Sequence, residues 1–188
     1  MKTILICNQK GGVGKSLIAD ELAFSFDRTV ILYSFFDLDG QRGVIHETKE
    51  DPHAEVTIID TPGALQPELK QWMENADLII IPTRLTGRDI GPLQTMMSLA
   101  KAHATCPVLY VLNGYSHRFL ASKAFKEWFD AQGDLDSLIL PQSEYYAQAA
   151  GYGCSVLDVV SRTSYVGMTT LAFINSVRKR LQLPQEDV

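Results

Sequence analysis

The sequence predicts an α/β fold: a doubly wound, mostly parallel sheet with helices on both faces. Short apolar runs, among them residues 3–8 (TILICN), 78–82 (LIIIP) and 108–113 (VLYVLN), alternate with longer segments whose apolar residues recur at helical spacing. The runs are apolar throughout rather than at every second residue, the pattern of strands covered on both faces, as in parallel sheets. A glycine-rich stretch joins the first run to the first helical segment, and the chemically suggestive residues fall at the carboxyl ends of strands, where such sheets bind ligands.

In chain order, residues 3–8 read as the first strand and residues 9–14 as a loop. Residues 15–26 read as a helix with Leu17, Ile18, Leu22 and Phe26 on its apolar side. Residues 29–35 read as the second strand. Residues 55–60 (EVTIID) read as the third, closed by Thr61-Pro62-Gly63. A helix is expected over 67–75, with Pro67 near its start where a missing N–H costs little. The fourth strand is 78–82, the next helix 92–104 and the fifth strand 108–113. A helix over 122–131 stops near Gly133. A short strand at 138–140, a short helix at 145–150 before Gly151 and Gly153, and a closing helix over 164–183 complete the order.

The 188 residues suit one domain, 1–188, and 46% apolar with 21% charged residues excludes a disordered chain. No apolar run reaches the roughly 18 residues of a membrane span, and the start lacks the apolar stretch of a signal peptide. Cys7, Cys106 and Cys154 are odd in number, far apart and without metal-ligand spacing, which fits a reduced, cytoplasmic setting. A net charge of -5 argues against a surface that grips nucleic acid everywhere, so any DNA contact is expected from a local patch.

The segment Lys10-Gly11-Gly12-Val13-Gly14-Lys15-Ser16 connects the first strand to the first helix. Glycines there let backbone N–H groups turn inward on phosphate oxygens, and the helix N-terminus adds partial positive charge. Lys15 is placed to reach the β- and γ-phosphates and Ser16 to hold Mg²⁺. The expected nucleotide-binding set is Gly11, Gly12, Val13, Gly14, Lys15, Ser16 and Leu17. Gln9 stands where the standard phosphate-loop pattern has its first glycine, and Lys10 is an extra lysine.

Two acidic segments follow strands. Asp37-Leu38-Asp39-Gly40-Gln41 puts two carboxylates one residue apart on a loop, where both can face one metal–phosphate site. Asp60 ends an apolar strand and needs a partner, either the Ser16 hydroxyl or a Mg²⁺-bound water.

KGGVGKS resembles, residue for residue, the deviant Walker A loop of the ParA/MinD ATPases, a P-loop NTPase group. The resemblance implies bound ATP and Mg²⁺ and an ATP-dependent homodimer in which Lys10 acts across the interface. It likens Asp37 to Gln41 to the family's first switch, with Gly40 in place of proline. Asp37 then lies near the metal's hydration shell and Asp39 positions the attacking water. Asp60-Thr61-Pro62-Gly63 resembles the second switch. The implied catalytic set is Lys10, Lys15 and Asp39, and the implied metal set is Ser16, Asp37 and Asp60. Asn113 and the loop led by Pro141 match family positions that contact adenine.

About eight residues separate the turn at Gln41–Gly43 from Asp51-Pro52, so the chain is most similar to the short ParA-type partition ATPases. With the loop so close to Met1, no preceding helix-turn-helix is expected. By that likeness, ATP drives dimerisation and the dimer binds non-specific DNA. A ParB-like or centromere-binding adaptor stimulates hydrolysis, and a plasmid, chromosome or other cargo is segregated. The ATP-bound form is then nucleoid-associated. Arg178, Lys179 and Arg180 are the densest basic cluster and the first candidates for DNA contact. Arg84, Arg88, Arg118, Lys123, Lys126 and Arg162 come next. Pro184, Glu186 and Asp187 disfavour a terminal membrane helix. Two alternatives stay open: a MinD-like positioning ATPase acting on a membrane or protein partner, and a small-molecule ligase of the dethiobiotin synthetase kind.

Overall fold

The computed structural model describes residues 1–39, 43–64 and 66–187. Its elements run β1 (Lys2–Ile6), α1 (Lys15–Arg28), β2 (Tyr33–Asp37), β3 (Val56–Asp60), α2 (Leu69–Asn75), β4 (Leu78–Thr83) and α3 (Gly87–His103). They continue with β5 (Val108–Tyr115), α4 (Leu120–Asp130), β6 (Ser137–Pro141), α5 (Tyr145–Tyr152), α6 (Val156–Val159) and α7 (Tyr165–Arg180). The strands form one six-stranded sheet in the order β2-β3-β1-β4-β5-β6. All five strand pairs are parallel.

Alternate residues of each central strand feed opposite cores. Ile4 and Ile6, Leu78 and Ile80, and Leu109 and Val111 pack with α1, α5, α6 and α7. Leu5 and Cys7, Ile79 and Ile81, and Tyr110 and Leu112 pack with α2, α3 and α4. Both side-chain sets of these strands are buried, hence their unbroken apolar sequence. Strand order reverses beside β1, and the loop leaving β1 opens at that crevice.

Several elements begin or end away from their expected bounds. β2 starts at Tyr33 rather than residue 29, because α1 runs on to Arg28 and closes in a Schellman turn. Val30 N donates to Asp27 O at 3.3 Å and Ile31 N to Phe26 O at 3.0 Å, with Val30 at φ 56. Helix α3 starts at Gly87 rather than residue 92 and carries Pro92 inside it. Asp89 accepts from Thr86 N at 3.1 Å and from Thr86 Oγ1, which anchors that early start. The four-residue α6, begun by Ser155 with Asp158, is a further element. Helix α7 stops at Arg180 in a second Schellman turn, with Gln182 at φ 59 and Leu183 N bonded to Arg178 O at 2.9 Å.

Candidate functional site

The loop after β1 is held from three sides. Asn8, buried at the strand end, donates from Nδ2 to Pro82 O at 2.7 Å and accepts from Lys10 N at 3.0 Å. That fixes the start of the loop to β4. Asn113, near the end of β5, donates from Nδ2 to Val13 O at 2.9 Å. The turn after β3 closes the third side: a Cβ on Gly63 would stand 2.9 Å from Gly11 Cα. Gly14 is the N-cap of α1 at φ 100, and a Cβ there would meet Asn113 Nδ2 at 2.1 Å. Only glycine satisfies both the left-handed backbone and that approach. Lys15 opens α1 and is buried, as is Val13.

Ser16 and Asp60 meet at the floor. Ser16 Oγ donates to Asp60 Oδ2 at 2.7 Å. Asp60 is fully buried, and its Oδ1 has no hydrogen-bond partner among the described residues. Burial pushes its carboxyl up to about 7, against the Ser16 hydrogen bond and the Lys15 charge, which pull it down. Asp37 stands beside Asp60 in the register of β2 and β3. A Cβ on Gly43 would stand 3.0 Å from Ser16 Oγ. A hydroxyl next to a buried carboxylate oxygen lacking a donor is a hard-oxygen pair suited to a Mg²⁺ ion or its bound water. The residues therefore fit the metal.

Asp37 Oδ1 accepts from Asp39 N at 2.8 Å, so the two carboxylates are set by one tight turn, with Asp39 half-buried. Gly40, Gln41 and the following Arg42 lie outside the described residues.

Lys10 points back onto its own chain. Its Nζ lies 2.5 Å from Asp89 Oδ1 and 3.4 Å from Arg88 O, both in the first turn of α3. The Arg88 carbonyl is available because Pro92, four residues on, has no N–H to give it. Asp89 is almost fully buried, and the sequence alone had not marked it as a site residue.

The adenine positions are differently engaged. Asn113 is buried with its amide turned to the phosphate loop. Pro141 is the buried last residue of β6. Beyond it, Gln142 Oε1 accepts from Arg84 Nη2 at 3.3 Å, over Gly114 at φ 84.

The expected basic face of Arg178, Lys179 and Arg180 is not formed. Arg178 is 0% exposed, with Nη2 donating to Ser25 O, Ser25 Oγ and Thr29 Oγ1, each at 2.7 Å. It cannot reach a duplex. Arg180 is paired with Asp136, at 2.7 Å to Oδ1 and 2.5 Å to Oδ2. Lys179 alone of the three is exposed. Consecutive helix residues point about 100° apart, and packing took the first of them. Of the reserve cations, Lys126 pairs with Asp130, Arg162 with Glu186 and Arg84 with the Gln142 amide, while Arg88, Arg118 and Lys123 are exposed with no ion pair among the described residues.

No family model matches the sequence, and no curated protein matches it. Solved structures do. An ATP complex of a McdA variant from Cyanothece superposes with a TM-score of 0.78 at 14% identity, over 100% of this chain and 99% of that one. The chain shares its fold with this protein and with MinD. MinD of Pyrococcus horikoshii, solved with Mg-ADP, gives a TM-score of 0.69 at 16% identity over 95% of this chain and 96% of its own. Cobyrinic acid a,c-diamide synthase of Mycobacterium smegmatis, with ADP and magnesium, gives 0.67 at 15% identity over 100% of both chains. The same fold thus serves a septum site-determining protein and a diamide synthase. No helix among the described residues is long and apolar enough to cross a membrane.

Proposed function

We propose that the chain is a ParA-type ATPase switch that binds ATP with Mg²⁺, dimerises on it and hydrolyses it when a partner protein engages. The observation that carries this reading is the second lysine, Lys10, at the mouth of a phosphate loop, held by one ion pair to Asp89 and one carbonyl. A lysine serving only its own nucleotide gains nothing from such parking. One that must leave for a second subunit's nucleotide needs a resting place.

Within this reading each residue has a task. Backbone N–H groups from Gly11 to Leu17 receive the phosphates, and the Lys15 ammonium offsets their charge. Ser16 and Asp60, with Asp37 beside them, would hold Mg²⁺, which supplies positive charge against the phosphates. Asp39 orients the attacking water. The neighbours solved with ATP, or with ADP and magnesium, support the ligand assignment. Non-specific DNA is the proposed track and a ParB-like adaptor the proposed stimulator, with Lys179, Arg118 and Lys123 as the exposed cations that could meet phosphates.

The deciding experiment sizes the purified protein with ATP and with ADP, then measures DNA retention of each form across a salt series. The reading expects dimers only with ATP, and DNA retention only by that dimer, falling steeply with salt. ATP turnover by a species that stays monomeric would overturn it. An ATP dimer that ignores DNA would favour a MinD-like positioning ATPase working on a protein partner. The burial of Arg178 and the pairing of Arg180 favour that second reading by thinning the cationic face.

A further inference from the structure

Beyond α7 the chain folds back across the carboxyl-terminal end of α1, and one side chain of this return, Glu186, is buried. Its carboxylate accepts from Arg28 Nε at 2.8 Å, Arg28 Nη2 at 3.3 Å, Arg162 Nη2 at 2.9 Å and Ser25 Oγ at 2.8 Å. The backbone of the same residue is bonded on both sides. Asn175 Oδ1 accepts from Glu186 N at 2.7 Å, and Asn175 Nδ2 donates to Glu186 O at 2.9 Å. Arg162 also donates to Asp187 O, and Arg178 Nη1 to Pro184 O at 2.8 Å.

Three features set this cluster apart from ordinary packing of a chain end. An amide that takes both the N–H and the C=O of one residue binds extended peptide backbone whatever the side chain. The pocket beside it then selects a carboxylate with two guanidiniums and a hydroxyl. Around Glu186 itself Pro184, Gln185 and Asp187 are exposed, and the apolar contact of the segment is confined to Leu183, which packs on the core at its start. Positive charge is in excess: Arg28, Arg162 and Arg178 surround one buried carboxylate. Arg28 Nη1 and Arg178 Nε are buried without a hydrogen-bond partner among the described residues. Asp158, 3.9 Å from Arg28, is half in solvent.

We propose that Ser25, Arg28, Arg162 and Asn175 form a docking site for an extended acidic peptide. Residues 184–187 occupy it in cis, and an acidic segment of a partner protein takes it in their place. Backbone reading supplies affinity, and the arginine pocket supplies selectivity for glutamate. The tethered segment competes at an effective concentration on the order of millimolar, so a partner must carry more carboxylate, or bind elsewhere as well, to displace it. This inference is independent of the nucleotide chemistry.

The probe is a fluorescein-labelled peptide of residues 183–187, LPQED, followed by anisotropy. The full chain carrying Glu186→Ala vacates the carboxylate pocket and leaves its own segment only the backbone contacts, so it is expected to bind the probe at least about tenfold more tightly than the wild type, whose complete segment competes. A probe with glutamine in place of its glutamate should bind at least about tenfold more weakly. Adding Asn175→Ala or Arg162→Ala to the Glu186→Ala chain should remove binding. A folded Glu186→Ala chain that binds no better than wild type, or that accepts both probes equally, overturns the proposal. If Glu186→Ala does not fold, Glu186→Gln takes its place in the same comparison. If that chain too is unfolded, recovery of its circular dichroism on adding millimolar LPQED supports the site, and no recovery overturns it.

Discussion

Asp89 serves Lys10 and its own helix at once: Oδ1 lies 2.5 Å from Lys10 Nζ, while Oδ2 accepts from Thr86 N at 3.1 Å and from Thr86 Oγ1. Removing the lysine leaves a carboxylate that is almost fully buried with, among the described residues, only its Thr86 partners. Lys10→Ala is expected to lower stability by about 1–3 kcal/mol, read by urea melts. It should still bind ATP and fail to dimerise. Asp89→Asn keeps the cap and frees the lysine, so its dimer should appear at several-fold lower ATP in the same sizing assay. A Lys10→Ala chain that dimerises normally would remove Lys10 from the interface.

Gly14→Ala forces an L side chain to φ 100 and sets its Cβ against Asn113 Nδ2. The backbone term alone is about 1–2 kcal/mol. Nucleotide affinity should fall more than tenfold while circular dichroism stays unchanged, because the loop is strained and the sheet is untouched. Combining it with Asn113→Ala relieves the contact without relieving the backbone. The double variant should therefore recover only part of the affinity in a fluorescent-nucleotide titration.

Asp39→Ala is expected to bind ATP and dimerise, yet turn over about 10²–10⁴-fold more slowly, as loss of a proton-handling or water-positioning group does. Phosphate release measured alongside sizing checks both halves. Turnover equal to wild type would leave Asp39 as a turn residue only.

The three basic residues at the end of α7 should separate cleanly. Arg178→Glu places a carboxylate in a fully buried guanidinium site and is expected to cost at least about 3–5 kcal/mol, enough to threaten the fold. Lys179→Glu should leave the melting curve within about 0.5 kcal/mol of wild type. Any loss of DNA retention by Lys179→Glu or Arg118→Glu therefore reports on the surface, and the same loss in Arg178→Glu reports on folding. Unchanged stability of Arg178→Glu would contradict its burial.

Two buried glutamates titrate in opposite senses. Burial raises Glu186, but hydrogen bonds from Arg28 and Ser25 and the charges of Arg28 and Arg162 outweigh it, so the group sits below its ordinary 4.5. Its stabilisation is complete above about 4.5 and is lost as pH falls through the folded value. Burial of Glu21 outweighs the bonds it accepts from Ser155 and Val156, so that group sits above 4.5, and its contribution fades as pH rises through its folded value. Glu186→Gln should therefore lose stability at neutral pH, with the gap to wild type closing as the pH falls below 4.5 and through the depressed folded value in urea melts. A gap that stays constant with pH would show that its charge is not what holds the segment.

The central strands were legible because both of their faces are buried. β1, β4 and β5 begin within a residue or so of where their apolar runs begin. The place of the Lys10–Ser16 loop was legible because its glycines and lysines follow one apolar run and open a helical one, and the structure puts it between β1 and α1. β2 was misplaced because a valine holds the left-handed position that a glycine would have advertised. The start of α3 was hidden by Gly87, Gly91 and Pro92, although Thr86 and Asp89 carried the capping signal. Within the site, the partner of Ser16 could be argued from the cost of a buried aspartate, whereas the partner of Lys10 lies 79 positions away and no local pattern joins them. The basic triplet forms no single face, because three successive helix residues spread around more than half the circumference and Arg178 falls on the buried side.

Pro92 denies α3 one rung of its ladder, and Lys10 fills the vacancy from outside the helix. The stiffness of that opening turn is thereby borrowed from the loop. If Lys10 leaves, as the proposed switch requires, the Arg88 carbonyl loses that donor and Asp89 its counter-ion, and the turn carrying Gly87 and Arg88 would take up water or fray. In that switch a movement of one ammonium would change the compliance of a surface turn, which a second molecule could sense without touching the nucleotide.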